Sequence, residues 1–394
     1  MASNNAYRNG RMNRRREFLR LLARDLRRSG RWVRVVYRRG GATLQIGREV
    51  DAATVIEHLK VMRAAMLRQN VARLSAWERS EIMELLGDAR QIDPMKVQPC
   101  LVVCDSRRDH RLFRYCQWYQ TVPSKGRVGR RMRFCVFDVG QNPPFVMGII
   151  ELASAPYSLA CRDRLLGWNG SDRKAIKDIG LRMMMDLSTC IAVPPYNVLR
   201  VGKLLASIAV SRPVVRVVQA RYGAPLRGLL TTSATGIHCP LFNRIMLRPG
   251  GLFRRVGQTS GFSTVHLSPE TLRAARSFLP FYRSAPTGDF SLSVRPLRIL
   301  GHALRRCGIR PRHILRTGVP KGVYFAETAP GGIRHLRTGG ASRLRGVLNA
   351  RDVLAYWHSA VLPKALATTE QRMRFASMNR QNILLSSKTD WGHQ

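Results

Sequence analysis

Apolar residues recur every three or four positions in the first quarter of the chain and then give way to continuous apolar runs. Phe18, Leu22 and Leu26 fall at i, i+4 and i+8, which predicts an amphipathic helix over residues 14–29. Asp51 predicts the cap of a second helix with Val55, Leu59, Met62 and Met66 on one face. Ser75-Ala76-Trp77-Glu78 has capping-box spacing and predicts a third helix that stops near Gly87. The N-terminal third therefore reads as helical.

Beyond Cys100 the period changes. Residues 131–139 and 145–154 are apolar runs joined by Gly140-Gln141-Asn142-Pro143-Pro144, which predicts a strand pair. A helix is expected from Ser171 to about Met185, and a strand over 187–193 stopped by Pro194 and Pro195. The next helix carries Val201, Leu204, Leu205 and Ile208 on one side, and Gly223 closes the helical stretch. Strands are expected over 226–233 and 253–257. Ser268-Pro269-Glu270 starts another helix, and one over 296–307 ends at Gly308. The tail from about Ala376 is polar and expected to fray. The fold class is α/β (α+β), with a central mixed sheet in residues 99–268. A basic helical region, 1–98, and a basic, mostly helical region, 269–394, flank it.

Charge changes the picture from fold to partner. Lys and Arg number 67 against 24 Asp and Glu, giving a net charge of +43 over 394 residues. Hydrophobic residues make up 45%, too many for a disordered basic tail. This balance points to a folded protein whose partner is a polyanion, most simply DNA or RNA. Only nine of the basic residues are lysine, and arginine donates bidentately to phosphate and stacks on bases. No Asp or Glu falls between Asp186 and Glu270, so the later half is almost purely positive. The acid-poor, Arg-rich first forty residues also have the composition of an organellar transit peptide.

Eight cysteines are scattered without a secretory leader ahead of them, which reads as reduced thiols in the cytoplasm. Cys100, Cys104, His110 and Cys116 invite a zinc reading. A strand at Cys100 would separate the first two sulfurs by about 13 Å, too far for one tetrahedral ion. Zinc is not expected. No run reaches about 18 apolar residues, so a membrane span is not expected either.

Candidate nucleic-acid contacts follow from the basic positions. Arg16, Arg20, Arg24 and Arg27 form a stripe on the first helix. Arg130, Arg131 and Arg133 stand at the mouth of a strand, with Arg131 and Arg133 facing opposite Met132 and Phe134. Arg162 and Asp163 suit a salt bridge ahead of Trp168. The indole of Trp168 fits either a base stack or the core.

Several blocks, in one order, resemble the DruA family of Druantia anti-phage systems. They are Val128-Gly129-Arg130-Arg131-Met132-Arg133-Phe134, the stretch from Arg162 to Trp168, and the stretch from Met185 to Asn197. Gly202-Lys203-Leu204-Leu205-Ala206, Thr231-Thr232-Ser233-Ala234 and Phe242-Asn243-Arg244-Ile245 follow, then Arg255 to Thr259 with His266 beyond. Val201 stands where the family pattern has a second glycine, and Gly236 to Leu241 replaces a small glycine- and serine-rich turn. The resemblance implies a bacterial protein with a role in defence against phage, beside other Druantia proteins, or in a related mobile element, and implies no known reaction.

The order of strand, Pro turn, helix, strand and Asn from Leu187 to Gly257 also resembles the C-terminal half of a GNAT-type acyltransferase. That fold holds a pyrophosphate with a paired-glycine turn. Asn197 to Ala206 has one glycine, so acetyl-coenzyme A is not expected and the cofactor stays unknown. The expected pocket gathers Asp163, Asn197, Gly202, Lys203, Asn243 and His266, with Arg244 as a nucleic-acid contact. Nucleic-acid binding in defence is the leading function. A DNA-modifying or transposase- or recombinase-like enzyme of a mobile element and an acyltransferase on a GNAT-like scaffold are the alternatives. A metal-dependent nuclease would have to draw on Glu151, Asp163, Asp172, Asp178 and Asp186.

Overall fold

A computed structural model of the 394-residue chain describes residues 2–38, 41–47, 52–120, 129–233, 236–259, 267–279, 295–311, 314, 320–340, 342 and 345–387. Its centre is a seven-stranded mixed sheet in the order β3-β4-β5-β6-β7-β9-β8. The strands are β3 (Pro99–Val103), β4 (Arg131–Asp138), β5 (Phe145–Ser154), β6 (Met184–Ala192), β7 (Gly228–Thr232), β8 (Arg254–Gln258) and β9 (Gly322–Glu327). A separate hairpin joins β1 (Val33–Arg38) and β2 (Gly41–Ile46). The helices named below are α1 (Ala2–Arg28), α2 (Ala52–Trp77), α3 (Arg107–Gln117), α4 (Ala160–Leu165), α5 (Lys174–Arg182), α6 (Val201–Ala209), α7 (Arg212–Tyr222), α8 (Pro269–Phe278) and α9 (Arg295–Arg306).

The strand pair β4–β5 forms where the apolar runs predict it. β5 is buried along nearly its whole length because both sheet faces are covered. One face carries Met185, Leu187, Leu229 and Tyr324 beneath α6 and α7. The other presents Met184, Leu230, Val323 and Phe325 to a cluster with Leu166, Trp168 and Leu336. Next to that cluster, α3 covers Cys135, Val146 and Ile149. β6 and β7 run parallel but pair only over Met184–Asp186 and Gly228–Leu230. Beyond that point they part, and the Thr231 hydroxyl donates to the Leu187 carbonyl at 2.9 Å.

Four expectations need correction. First, the N-terminal third is not all helical, since the β1–β2 hairpin follows α1. Second, no new helix opens at Ser75. α2 runs through to Trp77 and passes into a wider turn at Glu78–Ile82. The Glu78 carboxylate is not available to cap, because it accepts from Tyr115 Oη at 2.6 Å and Leu385 N at 2.9 Å. Third, those same bonds hold the tail, whose Ile383 and Leu385 are buried in the α3 cluster, so it does not fray at Ala376. Fourth, the helix expected to reach Met185 stops at Arg182, where β6 begins two residues later.

The central sheet draws β9 from beyond residue 268 and seats it between β7 and β8. A second core joins α1, the hairpin, α8 and α9 through Phe18, Leu22, Leu26, Val33, Phe278 and Leu304. Residues from the two flanking regions thus pack on one another. Asp25, fully buried, fastens this unit by accepting from Ser268 N at 2.7 Å and Thr271 Oγ1 at 2.6 Å at the start of α8.

Candidate functional site: a basic corner beyond the parting strands

After β6 the chain turns over Pro194, Pro195 and Tyr196 and enters α6. The buried Tyr196 hydroxyl donates to Asp138 at 2.9 Å and pins the turn. Arg200 is the last residue before α6 and takes φ 56°, in the left-handed region. One turn on, the Lys203 ammonium donates to the carbonyls of Pro240 at 2.8 Å, Leu241 at 3.4 Å and Asn243. Three protons meet three carbonyls, so the lysine ties the loop after β7 to the start of α6. Gly202 lies against this loop, where a Cβ would come 2.9 Å from Leu241 Cδ1, the movable tip of a side chain.

The tied loop carries Arg244, also left-handed at φ 59°. Phe242 and Ile245 beside it are buried in the core. The Tyr356 hydroxyl donates to the Arg244 carbonyl at 3.3 Å and accepts from Met246 N at 2.8 Å. Left-handed backbone costs a non-glycine residue about 1–2 kcal/mol and persists where its surroundings fix it. Both strained residues are exposed arginines, and neither has an ion-pair partner among the described residues. Burial, then the positive charges of Arg200 and Arg244, lower the Lys203 amine to about 8, with Cys239 opposing. No carboxylate takes part.

The structure therefore brings Lys203, Gly202 and Asn243 together, with Arg244 beside them. Asn197 is exposed on the turn that leads into Arg200. Asp163 is elsewhere, on the opposite sheet face among the α4–α5 side chains. It accepts from Arg162 Nε at 2.8 Å and Lys177 Nζ at 3.0 Å, and all three are largely buried. The Arg162 guanidinium also covers the ring of Trp168, 5.2 Å from its centroid. Trp168 is buried, and its indole N–H donates to the Leu336 carbonyl at 3.0 Å. His266 lies outside the described residues.

The strand-mouth arginines are engaged within the fold. Arg130 donates to the carbonyls of Leu181 at 2.7 Å, Arg182 at 2.6 Å and Met184 at 2.9 Å, closing the end of α5. Arg133 and Arg131 share the buried Glu151, at 2.7 Å and 3.7 Å. The other carboxylate oxygen accepts from the hydroxyl of Ser188, the bulged residue of β6, at 2.8 Å. On α1, Arg24 reaches Ser268 and Glu270 at 3.0 and 3.1 Å, and Arg27 donates to the Val33 carbonyl at 2.9 Å. Arg16 and Arg20 are exposed. Among the described residues, no three His, Cys, Asp or Glu side chains gather as a metal site. No described helix is long and apolar enough to cross a membrane.

Sequence reasoning passed over Arg200. Its charge was visible, but nothing in Asn197-Val198-Leu199-Arg200 announces a left-handed turn. It also passed over Glu151 as a pairing partner, although a lone acid in an apolar run facing Arg133 was a usable signal.

The fold and the corner define a mixed α/β protein with a seven-stranded sheet and, at a parallel strand break, a basic corner whose arginines have no ion-pair partner among the described residues. A family model described as Druantia protein DruA matches residues 55–290, more than half of the sequence, and the chain belongs to the DruA family. It is 26% identical over 340 residues to the Druantia protein DruA of Escherichia coli (strain UMEA 4076-1), covering 79% of this chain and 81% of that protein. No solved structure matches it.

Proposed function

We propose that this protein is a nucleic-acid-binding component of a Druantia-type anti-phage system, and that DNA is its partner. The observation that carries the reading is the corner itself: Arg200 and Arg244 project from strained backbone beside a charged lysine, and neither has an ion-pair partner among the described residues. Cations are gathered against their own repulsion where they meet a polyanion. Family membership supplies the setting, and other Druantia proteins are its expected partners.

The test is binding of a duplex of about 30 base pairs across a salt series. Contact with six or more phosphates gives a slope of log K against log salt of about −5 or steeper. A slope shallower than about −2 would show that the net charge of +43 is not a nucleic-acid footprint.

A further inference from the structure

The N-terminal unit holds an aromatic residue that its core does not use. α1 ends in a glycine-closed turn: Arg31 N donates to Leu26 O at 3.0 Å and Gly30 N to Arg27 O at 2.9 Å, with Gly30 at φ 82°. Trp32 leaves this rigid turn directly and is 61% exposed. Gly47 N donates to its carbonyl at 2.8 Å, so Trp32 stands opposite a residue without a side chain. Val33 and Val35 point into the α1 core, which places Trp32 and Arg34 together on the outer face of the hairpin. Arg34 is exposed, and Gln45 and Thr43 continue that face on β2.

In sequence, the segment that builds this hairpin is one-sided in charge. Residues 27–48 hold seven arginines, and no acid falls between Asp25 and Glu49. Asp25 is buried and spent on the start of α8, so it does not neutralise the surface. Arg27 bonds the Val33 carbonyl, which sets a guanidinium beside the residue following Trp32.

We propose that the outer face of the β1–β2 hairpin is a platform for single-stranded nucleic acid, on which Trp32 stacks an unpaired base while Arg34 and its neighbours hold the backbone. This rests on the nucleic-acid reading and names a second form of the same partner. An indole reaches the face of a base only when that base is unstacked, so the platform serves single strands and not duplexes. Guanidinium groups track the phosphates of either form.

The experiment measures anisotropy of labelled 15-nucleotide dT and U oligomers and of a duplex with the full chain, as wild type, Trp32→Ala, Trp32→Phe and Arg34→Glu. Trp32→Ala is expected to weaken the oligomers about tenfold and the duplex less than twofold. Trp32→Phe, which keeps a ring, restores most of the affinity. Arg34→Glu weakens the oligomers more than the duplex. If wild type binds the oligomers and Trp32→Ala binds them equally well, or loses duplex to the same extent, the platform is overturned while the corner stands. If wild type binds neither form at low salt, the nucleic-acid reading falls and the platform falls with it.

Discussion

The basic corner and the β4–β5 face both collect arginines, yet they treat charge in opposite ways. On the face, Arg133 and Arg131 meet Glu151, and Arg130 meets three carbonyls. At the corner, Lys203 meets backbone carbonyls, Cys239 and the charges of Arg200 and Arg244, and none of the three cations has an ion-pair partner among the described residues. A count of basic residues ranks these regions alike. What separates them is the surplus left after every cation has met its partner. A half-buried set whose guanidiniums are engaged by Glu151 and by carbonyls holds strands together, while exposed arginines without an ion-pair partner among the described residues have attraction left for a ligand.

The largest effect is expected on the engaged, half-buried face. Glu151→Gln leaves two guanidinium groups facing a neutral amide in a site where Glu151 is 2% exposed. Breaking a buried pair from one side costs about 3 kcal/mol. Urea unfolding should show that loss, and Glu151→Gln combined with Arg133→Met should recover part of it. A variant as stable as the parent would mean that the face is not held by charge.

A smaller effect is expected at Lys203. Its proton comes off near pH 8, whereas an unfolded lysine keeps its proton to about 10.5. Two opposite trends follow between those values. Nucleic-acid affinity falls as the corner loses a charge, by about 1 kcal/mol or roughly fivefold. Stability rises with pH over the same window, because unfolding there takes up a proton. Lys203→Met should show neither trend. A parent protein whose affinity stays flat from pH 7 to pH 10 would remove Lys203 from the electrostatics of the corner.

Legibility in the sequence divided along similar physical lines. β4 and β5 were readable nearly to the residue, because apolar runs bounded by a Gly-Pro loop have few other solutions. The β1–β2 hairpin was missed because arginines interrupt its alternation, although Gly40-Gly41 between Val33-Arg34-Val35-Val36 and Thr43-Leu44 carries a turn signal. β9 was missed because Gly322 to Glu327 is short, and its place between β7 and β8 depends on contacts far apart in sequence. Of the candidate pocket, Lys203 and Asn243 meet because strand ends do gather loops. Asp163 does not join them, because α4 crosses to the other face of the sheet. The lone Glu151 facing Arg133 across the strand pair was a readable signal, whereas the left-handed backbone and exposure of Arg244 were not, and that is where Arg131 and Arg133 part from Arg244.

The most direct test sets the two regions against each other in one salt titration on duplex DNA, comparing the double variant Arg200→Ala/Arg244→Ala with Arg130→Ala. Each lost phosphate contact removes about one from the salt slope. The corner variant should bind more weakly on every sequence, with a slope about two shallower and unchanged unfolding. Arg130→Ala should keep the parental slope and unfold more easily, because its guanidinium closes α5. A parental slope in the corner variant, with a shallower one in Arg130→Ala, would contradict the account and move the binding surface to the strand mouth.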